Sequence, residues 1–132
     1  MSSAEALRML GQYPETLFDK YGGAPTVGAL TRDFYRRIMS NPMLKGYFAG
    51  VDTERMIRHQ IVFIAWVMGK PDKPYSHDQL RNAHITRKIT SAAYEEVIRI
   101  LQQALVAANV ELDDQREIIE RIDGHRHLIV TG

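Results

Sequence analysis

Residues 91–108 carry the feature that most limits what this chain can become. Tyr94, Val97, Ile98, Leu101, Ala104, Leu105 and Ala108 recur at intervals of three and four, the spacing that gathers side chains on one face of an α-helix. A strand needs apolar residues at every second position, and no such alternation persists anywhere in the 132 residues. The expectation is therefore an all-α fold.

Turn-forming clusters divide the chain into helical blocks: Gly22-Gly23-Ala24-Pro25, Asn41-Pro42, Gly69 to Pro74, and Asn109 to Asp114. The first block, 13–21, is short and stops at the glycine pair. The second, 26–40, has Val27, Leu30, Phe34 and Ile38 on one stripe with Tyr35 at its edge. Tyr47 and Phe48 follow in a compact turn, two rings too apolar for a free loop, so they are expected to plug an interior space. Asp52 is the expected N-cap of a third helix over 53–68. Its apolar arc is wide: Met56, Gln60, Phe63, Ile64 and Val67 on one face, Ile57, Ile61 and Met68 beside them. That width predicts a helix buried between others. Ser76 or Asp78 can cap a short helix holding Leu80, Ala83 and His84, and Thr90 or Ser91 caps the helix over 91–108. Asp114 with Glu117 reads as a capping box for a last helix that buries Ile118, Ile122, His125 and Ile129. There is no internal repeat, linker or low-complexity tract.

Composition removes several function classes. The absence of cysteine excludes disulfides, thiolate metal sites, iron–sulfur clusters and a cysteine nucleophile. A net charge of +1 gives no electrostatic reason to expect nucleic acid or a membrane surface as partner. The N-terminal residues read as neither a signal peptide nor a membrane span, so the expectation is a cytoplasmic protein. No nucleophilic triad, phosphate loop or paired-carboxylate spacing appears.

Two polar interruptions on apolar faces remain. His84 lies four residues after Leu80, and Gln60 lies between Met56 and Phe63, with His59 beside it and Tyr35 available from another helix. A lone histidine on an apolar face is more often a packed core residue than a ligand, and polar residues at a helix edge are more often solvated. His125 and His127 are two residues apart, so on a helix they point to nearly opposite sides and chelate poorly. On the residues alone three classes stay open: a haem protein for diatomic gases, a redox haem protein, and a helical interaction domain without haem.

A resemblance narrows the choice. Leu17-Phe18-Asp19-Lys20-Tyr21-Gly22-Gly23, Asp33-Phe34-Tyr35-Arg36-Arg37-Ile38, Tyr47 to Asp52, His59-Gln60-Ile61-Val62-Phe63, Pro74-Tyr75, Leu80-Arg81-Asn82-Ala83-His84 and Ile89-Thr90 stand in the order and spacing of the group I truncated haemoglobins. The chain resembles that family over 14–130. The resemblance implies a two-over-two helical sandwich over 13–132, preceded by an N-terminal extension over 1–12. It implies haem b as cofactor, with His84 as the iron ligand and Tyr35 and Gln60 as distal donors toward bound gas. Phe34, Phe48, Met56, Phe63, Leu80 and Val97 become haem contacts, with Met56 at the distal gate and Phe63 and Ile64 along an apolar tunnel. His59 matches a position able to supply a sixth ligand. The ligands implied are O₂, NO and CO, with NO oxidation to nitrate dependent on an unidentified reductase, and the chain is expected to be a monomer or weak dimer. The alternative is a bis-histidyl electron-transfer protein using His59. A covalent link to a haem vinyl is a further implication. Gapless counting from Val110 gives His127 for it, and helical periodicity gives His125. Two departures bear on the start of the proximal helix: Gly69-Lys70 replaces a glycine pair, and Ser76-His77 follows Tyr75 where a glycine is usual.

Overall fold

The computed structural model describes residues 16–70 and 88–132, and every regular element among them is helical. In order these are α1 (Leu17–Lys20), α2 (Ala24–Met39), a 3-10 turn (Lys45–Phe48), α3 (Thr53–Val67), α4 (Ser91–Ala107), α5 (Leu112–Asp123) and α6 (Arg126–Ile129). Residues 1–15, with the expected N-terminal extension, and 71–87, with the expected helix around Leu80 and His84, lie outside the described residues. None of the described helices is long and apolar enough to cross a membrane.

Local chemistry sets most of the boundaries. α2 begins two residues earlier than its periodicity suggests, because Pro25 suits the first turn, where its missing N–H is not needed. Asp52 caps α3 as expected, its carboxylate accepting from Arg55 N–H at 3.1 Å. Thr90, rather than Ser91, caps α4, accepting from Ala93 N–H at 3.1 Å. At the end of α3, Gly69 takes φ +109°. The N–H of Lys70 then donates to Ala65 O at 3.1 Å, and that of Gly69 to Trp66 O at 3.0 Å. One glycine in the left-handed region thus terminates the helix. A Cβ at Gly69 would stand 2.9 Å from Thr16 Cβ, so this corner also seats α1.

α2 packs against α3 and α4, and α5 packs against α4 and α3. The pairs α2/α3 and α4/α5 are the two layers of the two-over-two sandwich. Val27, Met68, Leu105 and Ile118 are fully enclosed between them. Ala93 and Ile100 are buried as well, although they lie off the expected stripe of α4: a helix with neighbours on two sides buries a wider arc than one stripe. Arg121 of α5 donates to Val67 O at 2.7 Å. That carbonyl has no helical donor, because the residue four positions on is Pro71.

The C-terminal helix departs from expectation at both ends. α5 starts at Leu112, and Glu111 stands at its N-cap without a side-chain bond. Asp114 is therefore no cap. It accepts from Lys20 Nζ at 2.7 Å and from the Tyr21 hydroxyl, while Glu111 N–H donates to that same hydroxyl at 3.0 Å. Tertiary partners outcompete the capping box here and fasten α1 to α5. At the other end the helix breaks at Gly124 and resumes as α6. The break turns Leu128, not Ile129, into the core and leaves His125 only half-buried.

The clamp on Asp114 predicts a pH dependence. Lys20 and then Tyr21 hold its carboxyl below the usual range. A carboxyl with a folded pKa below its unfolded value contributes its full stability at neutral pH and loses it as pH falls below about 4. Asp114→Ala should lower unfolding free energy by about 1–2 kcal/mol at pH 7, and the difference should shrink in urea melts near pH 3. An equal loss at both pH values would show that the bonds to the ionised carboxylate are not the cause.

Candidate functional site

The two layers part around a cavity of about 530 Å³, within the range of small-molecule and cofactor sites. Phe34, Tyr35 and Ile38 of α2 form one wall, and Tyr94, Val97, Ile98 and Leu101 of α4 form another. Ile89, Ile122 and Ile129 extend the aliphatic surface. Tyr47 and Phe48 close a side from the 3-10 turn, as two rings in a short apolar turn should. Tyr35 stands between Phe34, at 5.0 Å between ring centroids, and Phe48, edge-on at 6.2 Å.

The polar groups are not scattered. Asp52, Arg55, Met56, His59 and Gln60 come from the start of α3 at three- and four-residue steps, so one edge of that helix lines the cavity. Asp52, Arg55 and His59 are exposed and form a lip, whereas Met56 and Gln60 are half-buried. Tyr35 and Gln60 are thus two hydrogen-bonding groups on walls that are otherwise aliphatic and aromatic. The opening suits a flat apolar body with a polar edge at the lip, where Arg55 offers a cation to an anionic substituent. Those are the demands of haem, and the residues present fit it.

Of the expected site residues, Phe34, Tyr35, Phe48, Met56, His59, Gln60 and Val97 share this cavity. Phe63 does not. It is buried off the wall with ring centroids 6.0 Å from Trp66 and 6.3 Å from His125, and Ile64 is likewise in the core. One turn beyond Gln60, α3 faces protein rather than the cavity. His125 and His127 are not on the wall either. The His125 ring meets Trp66 edge-on at 5.4 Å, and its Nδ1 lies 2.9 Å from Arg121 O; Ile122 and Ile129 face the cavity instead. Leu80 and His84 lie outside the described residues.

Sequence reasoning passed over Arg55 and Tyr94. Arg55 stands four residues before His59, a spacing that places it on the same edge. Tyr94 heads the α4 stripe that includes Val97, Ile98 and Leu101. Its hydroxyl donates to Asp123 at 2.8 Å, and the Arg126 guanidinium lies 4.6 Å from its ring centroid. Burial first, and the Asp123 carboxylate second, hold this phenol well above the usual tyrosine range.

Known proteins share this architecture. The family model described as bacterial-like globin matches residues 16–131. A group 1 truncated hemoglobin from Mycolicibacterium paratuberculosis is 30% identical over 119 residues, 90% of this chain and 87% of its own length. The truncated hemoglobin of Tetrahymena pyriformis in its Fe(III) form superposes with a TM-score of 0.79 at 21% identity, over 88% of this chain and 98% of that one. The 2/2 hemoglobin of Synechococcus, solved in the cyanomet state with covalently attached heme, gives 0.81 at 22% identity, over 89% and 100%. With nearly all of its length matched and the sandwich and cavity in place, this chain belongs to the bacterial-like globins, and among them to the group 1 truncated hemoglobins, a family that binds haem and, through it, diatomic gas.

Proposed function

We propose that this chain holds haem b non-covalently in the α2–α3–α4 cavity, with His84 as iron ligand, and reversibly binds O₂, NO or CO. The observation that carries the reading is that Tyr35 and Gln60 line one cavity whose interior wall is otherwise aliphatic and aromatic, inside the polar lip. Haem supplies the iron centre at which the gas binds. Tyr35 O–H and Gln60 N–H are donors toward it, and Phe34, Phe48, Val97 and Leu101 keep water away. Arg55 at the lip faces the polar edge of the cofactor. Oxidation of NO to nitrate is the turnover this site supports best, with electrons from a separate reductase. Ile122 and Ile129, rather than His125 or His127, line the cavity, which supports non-covalent attachment.

A second reading draws on His59, which lines the same cavity one residue before Gln60. As a sixth ligand it would make the protein a bis-histidyl redox carrier. Its exposure at the lip beside Arg55 favours an outward position and the gas-binding reading. Hemin titration of the apoprotein, followed by optical spectra in the ferric, ferrous and CO-bound forms, tests both. Gas binding at an open site gives a Soret band and a high-spin ferrous spectrum. A low-spin, two-banded ferrous spectrum selects His59 ligation, and the absence of a Soret band removes both readings.

The distal donors carry their own expectation. Tyr35→Phe removes one hydroxyl and leaves the ring contacts with Phe34 and Phe48. A hydrogen bond worth ~1.5 kcal/mol is about a tenfold change in equilibrium, so O₂ release should quicken by about that factor in stopped-flow displacement with CO. An unaltered release rate would show that the hydroxyl points away from the gas.

A further inference from the structure

Tyr94 joins the cavity to the surface in a way that gas binding does not require. Its ring lies on the cavity wall and is 2% exposed. Its hydroxyl donates to Asp123 Oδ1 of α5 at 2.8 Å. The Asp123 side chain is 54% exposed. Arg126 covers the ring face, pairs with Glu95, and lies 4.0 Å from Asp123. One end of this tyrosine therefore meets the cofactor space and the other a solvated acid–base cluster.

We propose that Tyr94 is a one-electron relay between haem and the protein surface, with Asp123 as acceptor of its phenolic proton. The proposal rests on the haem reading above. A phenol that loses an electron while keeping its proton becomes a very strong acid, so its oxidation is feasible only where a base already holds the O–H. Asp123 is that base. Arg126 over the ring disfavours positive charge there, which ties electron loss to proton loss. Burial raises the cost of ionising the phenol first, so proton and electron must leave together.

The oxidant is a hydroperoxide. Its reduction, ROOH + 2 H⁺ + 2 e⁻ → ROH + H₂O, would draw both protons from solvent, one electron from Tyr94 and the other from the haem group that Tyr94 borders. The Tyr94 O–H bond breaks, an O–H bond forms on the Asp123 carboxylate, and a neutral phenoxyl radical remains. Two equivalents of a small one-electron donor such as ascorbate would close the cycle: one electron restores the haem group, and the other, with the proton from Asp123, restores the Tyr94 O–H.

The test uses haem-reconstituted wild type, Tyr94→Phe and Asp123→Asn. Each is mixed in the ferric form with hydrogen peroxide, freeze-quenched and read by electron paramagnetic resonance. Wild type should show a tyrosyl radical that Tyr94→Phe loses, the radical yield being read per bound haem as measured by hemin titration of each protein. Asp123→Asn keeps an acceptor for the hydrogen bond but not a base, so radical formation should slow by about 100-fold, the size of a removed general base. No Soret band in wild type would defeat the haem reading itself. A normal Soret band with no radical, or with a radical unchanged in Tyr94→Phe, would overturn the relay and leave the haem reading standing. A radical lost in Tyr94→Phe but formed at the wild-type rate in Asp123→Asn would overturn the role of Asp123.

Discussion

His84→Leu should abolish the histidine-ligated haem spectrum and leave the globin fold in place. The substitution is chosen to separate ligation from packing. Leucine is apolar and of similar size, and His84 follows Leu80 by four residues on what reads as one helical face. What it removes is the imidazole nitrogen, which donates to iron only when neutral. Helix content of the apoprotein by far-ultraviolet circular dichroism should match wild type, while hemin titration gives no histidine-ligated ferrous or CO spectrum. In His84→Gly, which does vacate the space of the ring, free imidazole should restore the spectrum in part. A wild-type spectrum in His84→Leu would move the ligand elsewhere, with His59 the first candidate because it lines the cavity.

Residues with near neighbours in sequence were the legible ones. The three long helices followed from three- and four-residue spacing, and the caps at Asp52 and Thr90 from side chains that bond N–H groups three positions on. Tyr35 and Gln60 were legible in part: each is a polar residue among apolar ones at helical spacing, and both line the cavity. Contacts across large sequence separations were not legible. Asp114 and Glu117 have the spacing of a capping box, but Lys20 and Tyr21, more than ninety residues away in sequence, take the carboxylate. Periodicity extended the last helix through His125 and Ile129 because it cannot register the break at Gly124. The arc of α3 is apolar most of the way round, so spacing alone could not say that Met56 and Gln60 face the cavity while Phe63 faces Trp66 and His125. Tyr94 looked like core because its partner Asp123 belongs to another helix.

That division of one helix between cavity and core yields the second large effect. Along α4, Val97, Ile98 and Leu101 line the cavity, while Leu105, one turn further on, is fully enclosed and off its wall. Leu105→Ala removes a buried isobutyl group that protein alone surrounds. Such truncations cost about 2–5 kcal/mol, transfer and residual cavity together, against a total of about 5–15 kcal/mol for a domain. At roughly 4 °C per kcal/mol for a chain of this length the midpoint of thermal unfolding should fall by about 10–20 °C. Haem binding adds its own stabilisation, so the comparison is made on the apoprotein and again with hemin in excess. The ferrous and CO spectra and the rate of haem loss should be those of wild type, because Leu105 does not line the cavity. Leu101→Ala is the contrasting case: it opens the wall itself and should change both stability and haem retention. Equal acceleration of haem loss in the two variants would mean that the core behind the wall yields when Leu105 is cut, and that α4 does not keep its two roles apart.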